Sequence, residues 1–135
     1  MGGPHGNWFN DLNAIPAAPK VSTISFRGSS RVDSVAVTLS NGQTFAHGGN
    51  GGSQVSLALA SKEFWVSAKI CQGSKNNNTR IFSILATTST GRTLTTGKET
   101  GDCATYNAPA GWQIVGYMGR SGDEVDRLAF IYAPQ

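Results

Sequence analysis

Apolar and polar residues alternate along most of this chain with the period of a half-buried strand. Val32 to Leu39 sets Val35, Val37 and Leu39 on one face, and Val21 to Phe26 precedes it as another strand. Asn41-Gly42, between Leu39 and Gln43-Thr44-Phe45, is a hairpin signal because both residues tolerate positive φ. Gln54 to Leu59 alternates again, with a helical turn over Ala58 to Glu63 as the alternative. Phe64 to Cys71 is predicted to set Phe64, Val66, Ala68 and Ile70 against Trp65, Ser67 and Lys69. Ile81 to Thr88, Thr93 to Thr96, Cys103 to Tyr106 and Gln113 to Met118 add further short strands. Ala14 to Pro19 and Asn76 to Asn78 read as loops, and no segment predicts a helix.

The strands repeat. Ser30-Arg31-Val32-Asp33-Ser34-Val35-Ala36-Val37-Thr38-Leu39 aligns without gaps on Asp123-Glu124-Val125-Asp126-Arg127-Leu128-Ala129-Phe130-Ile131-Tyr132. Both have Val-Asp ahead of the apolar run, and the apolar positions fall in register. Arg80 to Thr87 is a fainter copy, with Phe82 where the aspartate stands. A glycine-rich loop accompanies each copy: Gly2 to Gly6, Gly48 to Gly52 and Gly97 to Gly101. The repeat predicts an all-β protein with three sheet units around one core.

Composition narrows the function classes. The chain has 135 residues, with 17 glycines and only 14% charged residues, which fits one β domain over residues 1–135 and not a helical bundle. The net charge is +3, and no two Lys or Arg are adjacent, so nucleic acid is not an expected partner. No apolar run approaches the roughly 20 residues that span a bilayer, so no membrane insertion is expected. Met1-Gly2-Gly3-Pro4 lacks the basic start and apolar core of a signal peptide. Cys71 and Cys103 make one candidate disulfide, in keeping with an extracellular, secreted protein; two buried free thiols in the cytosol are the alternative. Asn77-Asn78-Thr79 is a glycosylation sequon in a polar loop.

The chemistry concentrates between Gly119 and Tyr132. Glycines at 119 and 122 permit a tight turn, and three carboxylates, Asp123, Glu124 and Asp126, follow before the strand begins. Such a turn suits a polyol, with amides donating and a carboxylate accepting. The Gly-rich start running into Trp8-Phe9-Asn10-Asp11, the Gly48–Gly52 loop and Gly119-Arg120-Ser121-Gly122-Asp123-Glu124-Val125-Asp126 together resemble a jacalin-related lectin domain of the mannose/glucose type. The resemblance covers essentially the whole chain and is weakest between Lys62 and Thr105.

The resemblance implies a β-prism of three four-stranded antiparallel sheets with pseudo-threefold symmetry. It also implies a sugar site between the first loop and Gly122 to Asp126. Asp123 and Glu124 would donate backbone N–H groups to ring and 6-hydroxyl oxygens. Asp126 would accept from the 4- and 6-hydroxyls, and the Gly6 N–H would reach the 3-hydroxyl side. Their roles leave the Asp123 and Glu124 side chains to point to solvent. An uncleaved first loop implies mannose or glucose. A second, repeat-related site would use Ser30, Arg31, Asp33 and Gly52, although Ser29 replaces the motif glycine and Arg31 is placed to crowd the pocket. The third copy, with Phe82, is not expected to bind sugar.

Other chemistries fit less well. A glycosidase needs two carboxylates facing each other across a bond, whereas Asp123, Glu124 and Asp126 crowd one loop. Asp123-Glu124-Val125-Asp126-Arg127 lacks the oxygen-ligand run of a calcium loop, and two cysteines and two histidines without ligand spacing argue against a metal. Gly91 to Lys98 is one residue too long for a phosphate loop, and His5 and His47 read as loop histidines. The expectation is a non-catalytic, cofactor-free glycan-binding module. Its monosaccharide affinity would be weak, about 1 mM, with avidity from several sites or a homo-oligomer. A protein-interaction module on the same fold, its pocket drifted, is the alternative.

Overall fold

The computed structural model describes residues 1–135 and is almost entirely strand. Its elements are β1 (Asn7–Asn10), β2 (Val21–Gly28), β3 (Val32–Leu39), β4 (Thr44–Gly48), β5 (Ser53–Ala58), β6 (Trp65–Lys75), β7 (Asn78–Thr88), β8 (Thr93–Gly97), β9 (Asp102–Asn107), β10 (Trp112–Ser121) and β11 (Val125–Pro134). A single 3-10 turn, Leu12–Ala14, follows β1. The strands form three antiparallel sheets, ordered β4-β3-β2-β5, β8-β7-β6-β9 and β1-β10-β11. The last sheet has three full strands; the place of its fourth is taken by Met1 to Gly3, reduced to a bridge between Gly2 and Arg127.

Threefold repetition extends to the irregularities. The inner pairs β2–β3, β6–β7 and β10–β11 each slip register twice, at Val21/Thr23 and Arg27/Gly28, at Trp65/Ser67 and Cys71/Gln72, and at Ile114/Gly116 and Arg120/Ser121. Bulges bend a strand and increase its twist, which lets each sheet close over a shared interior. That interior is a cluster of 20 buried residues drawn from all three sheets. At its centre the Trp65 ring meets Phe26, Tyr117 and Phe130 edge-on, at centroid distances of 6.3, 5.7 and 5.8 Å.

The bulge at Trp65 corrects the predicted facing of β6. Strict alternation would put Trp65 with Ser67 on the outer face; the slipped residue turns Trp65 into the core with Ala68 and Ile70, all 0% exposed, while Val66 is half-buried. Two further expectations change. Asn7–Asn10, where the pattern predicts no strand, is an edge strand paired with β10, and β6–β7 is a longer hairpin that pairs to Lys75↔Asn78. Ala58 to Glu63 is the end of β5 and a turn, closed by Glu63 N–H donating to Ala60 O at 3.0 Å. Gly91-Arg92 sits at a turn, with Arg92 held by the buried Glu63, and Thr93 onward is β8. His47 lies on β4, its Nε2 2.7 Å from Asp11 Oδ1 and its ring stacked on Phe9, so it is a structural histidine.

Candidate functional site

The β10–β11 connection is short. β10 ends at Ser121, β11 begins at Val125, and Gly122 N–H donates to Glu124 O at 3.0 Å to close the turn. The amides of Asp123 and Glu124 are left without an acceptor inside the protein, as is the amide of Gly6. Gly6 has φ 82, and a Cβ built on it would lie 2.7 Å from Asp126 Oδ2 and 3.0 Å from the Ser121 backbone. Only glycine combines that φ with that approach. The structure thus brings Gly6, Gly122, Asp123, Glu124 and Asp126 to one end of the molecule, with the first loop folded against the turn.

Neighbouring sheets brace both parts. Gly3 packs against Thr79 of the β6–β7 hairpin, and Gly49 of the second loop packs against the Asp123 backbone. Arg120 Nη1 donates to Gly6 O at 3.2 Å. Its repeat equivalent, Arg27, donates to the carbonyls of Asn50, Gly51 and Gly52 at 3.0, 3.2 and 3.1 Å. The third equivalent is Cys71, bonded to Cys103 across β6 and β9. Two glycine loops are therefore held by an arginine, and a disulfide stands at the corresponding place beside the third. The pairing of Cys71 with Cys103 resolves the choice between a disulfide and free thiols.

The acidic side chains are not equivalent. Asp123 is exposed, as predicted. Glu124 is not: its carboxylate is buried and accepts from Arg31 Nε at 2.6 Å, Arg31 Nη2 at 3.2 Å and Lys75 Nζ at 3.2 Å, with Arg80 Nη1 at 3.3 Å. Burial opposes that charge, but the bonds from Arg31 and Lys75 hold the carboxyl below its ordinary pKa. These cations arrive from other sheets and could not be anticipated from the local sequence. Asp126 is only 3% exposed. Its Oδ1 is buried without a hydrogen bond, its Oδ2 faces Gly6, and its side chain makes no Asx-type bond to the turn. Burial raises its pKa; Arg80 and His5 pull it down, and Glu124 adds to the rise.

The repeat-related candidate has a similar frame. Asp33 is half-buried with its carboxylate against Gly51, and Gly52 turns at φ 65 against Gly28. Ser30 is exposed, and Arg31 is paired with Glu124 and lies over the Phe82 ring, 5.9 Å from its centroid. Burial followed by the Glu124 charge raises the Asp33 pKa, with Arg31, Arg27 and Lys75 offsetting part of the rise. No group of three or more His, Cys, Asp or Glu side chains is placed to hold a metal ion.

The comparisons with known proteins agree with this architecture. Residues 1–131 match the family model described as a jacalin-like lectin domain. Among solved structures, a mannose-binding jacalin-related lectin from Ananas comosus is similar, at 25% identity and TM-score 0.84, over 100% of this chain and 94% of that one. The mannose-binding lectin from Champedak is similar too, at 25% identity and TM-score 0.80, over 98% of this chain and 92% of the other. A curated relative, "Secreted RxLR effector protein 19" of Plasmopara viticola, is 26% identical over 98% of this chain and 78% of its own length. The chain belongs to the jacalin-like lectin family, a non-catalytic carbohydrate-binding fold.

Proposed function

We propose that the end of the prism formed by the Gly2–Gly6 loop and the Gly122–Asp126 turn binds a hexose of the mannose or glucose type. The observation that carries this reading is that the amides of Gly6, Asp123 and Glu124 find no acceptor within the protein, while Gly6 packs against the Asp126 carboxylate. A sugar edge carries hydroxyls that both donate and accept, and this arrangement offers donors around a charged acceptor. Hydrogen bonds to an ionised carboxylate are roughly twice as strong as neutral ones, so Asp126 is the main anchor. Backbone donors fixed by a bulge and two glycine turns need little ordering on binding. The similar lectins named above are described as mannose-binding, which favours mannose or glucose over galactose. The Asp33 site is a weaker copy of the same idea.

The disulfide favours an extracellular setting. Exposure of Trp8 (57%) and Leu12 (53%) favours the alternative of a protein-interaction surface. Titration of wild type and Asp126→Ala with methyl mannoside, methyl glucoside and methyl galactoside separates the two. Weak binding of the first two that the variant loses supports the lectin reading. Silence of wild type toward every hexose and across a glycan array favours the interaction module.

A further inference from the structure

Arg31, Arg80 and Glu124 occupy the same position in the threefold repeat, each immediately before a fully buried residue: Val32, Ile81 or Val125. Strict repetition would bring three like charges together where the sheets meet, which is unfavourable. The chain instead has two cations and one anion there: Glu124 accepts from Arg31 and Lys75 and forms an ion pair with Arg80.

The threefold arrangement gives each aspartate a neighbour from the adjoining sheet. Asp126 of β11 meets Arg80 of β7, with Nε 3.4 Å from Oδ1. Both of those atoms are buried, and neither makes a hydrogen bond elsewhere. Asp33 of β3 has Glu124 in the matching place, and the third position pairs Phe82 with Arg31. A buried carboxylate with a cation beside it retains its charge; one with an anion beside it loses that advantage.

We infer that this cluster ranks the two candidate sugar sites: Arg80 is a positioning residue that keeps Asp126 charged and turns Oδ2 toward the ligand, while Glu124 works against Asp33. The inference rests on the sugar-binding reading above. The charged groups facing Asp126 are Arg80 from β7, His5 from the first loop and Glu124 from the turn; Arg31 and Lys75 stand one contact further off, on Glu124, and Arg120 lies on the Gly6 carbonyl. Arg80 alone among the cations forms an ion pair with the carboxylate.

The test is a titration with methyl mannoside between pH 4 and pH 7 on wild type, Arg80→Gln, Arg80→Lys and Asp126→Ala. Binding by wild type should fade as acid protonates Asp126. In Arg80→Gln the midpoint of that loss should move to higher pH, and Arg80→Lys should bring it back toward wild type. A purely structural Arg80 would change affinity evenly at every pH and leave the midpoint alone, and that result overturns the inference. Should Arg80→Gln fail to fold, Glu124→Gln decides: it removes the like charge and leaves Arg80 to Asp126, so the midpoint must move to lower pH, and an unmoved or raised midpoint overturns the inference. Residual binding in Asp126→Ala that equals wild type would also overturn the ranking. Wild type silent toward every hexose would sink the sugar reading and this inference with it, whereas wild-type binding lost in Asp126→Ala with an unmoved Arg80→Gln midpoint sinks only the latter.

Discussion

Replacing Gly6 by alanine perturbs the candidate site through backbone geometry alone. The new Cβ would sit 2.7 Å from Asp126 Oδ2 and 3.0 Å from Ser121 N and C, inside ordinary van der Waals contact, at a backbone φ of 82. Holding an L-residue in the left-handed region costs roughly 1–2 kcal/mol. For a chain of this size that is a fall in melting temperature of about 4–8 °C. Relief of the contact requires the loop to move off the turn, taking the Gly6 N–H and the facing carboxylate oxygen out of register. Losing one neutral and one charge-assisted hydrogen bond costs about 2 kcal/mol or more, roughly 30-fold in affinity. Gly42→Ala is the control, since Gly42 has φ 93 with nothing within 4 Å and lies in a hairpin outside the site. Thermal melts should show the backbone cost in both variants and a further loss from the close contacts in Gly6→Ala, and mannoside titrations should show binding lost only in Gly6→Ala. A folded Gly6→Ala that binds like wild type would refute the assignment of the first loop to the site.

Four further outcomes are expected. A Cβ on Gly122 would meet no protein atom within 4 Å, so Gly122→Ala should melt like wild type, and any loss of mannoside binding would place ligand in that space. Asp126→Asn should raise the melting temperature at pH 7 while weakening binding. Burial puts the folded-state pKa above its unfolded value, so the ionised carboxylate opposes folding above that pKa, and the two melting curves should converge as pH falls below the ordinary carboxylate range. Glu63→Gln should be less stable than wild type at neutral pH. Bonds from Arg92, Thr88 and Thr90 depress the Glu63 pKa, so its contribution is present above the unfolded value and is lost only as strong acid reaches the folded one, which denaturant melts at pH 7, 4 and 2 would follow. Serine at both Cys71 and Cys103 opens a link of sequence separation 32. It should cost about 3–4 kcal/mol on unfolding, read as a melting temperature lower by roughly 12 °C, with mannoside binding unchanged.

The sequence carried the local parts of this structure. Alternation located β3 at Val32–Leu39 with the bounds found, Asn41-Gly42 marked the hairpin, and the ungapped match of Ser30–Leu39 with Asp123–Tyr132 revealed the repeat on which the prism is built. Two kinds of information were illegible. A bulge shifts the facing of every residue beyond it by one, and nothing in Phe64-Trp65-Val66 marks the slip that sends Trp65 inward. Charge partners from distant sheets were equally hidden. Arg80, Arg31 and Lys75 reach Glu124 only because three turns converge, so a side chain expected at the surface lies buried. The one available clue was positional: aligned repeats put Arg31, Arg80 and Glu124 in the same column.

The sheet that bears the candidate site is assembled from opposite ends of the chain, with Asn7 opposite Ser121 and Gly2 bridged to Arg127. During synthesis the earliest residues emerge long before the strands they must join. The β2–β5 and β6–β9 sheets have all their strands in hand while β11 is still being made, yet the candidate site has no half-built form, because the first loop and the Gly122–Asp126 turn meet only at the last docking step. On the proposed reading of that site, binding arrives only when the fold is complete, and trimming the first six residues should abolish it while leaving both other sheets intact.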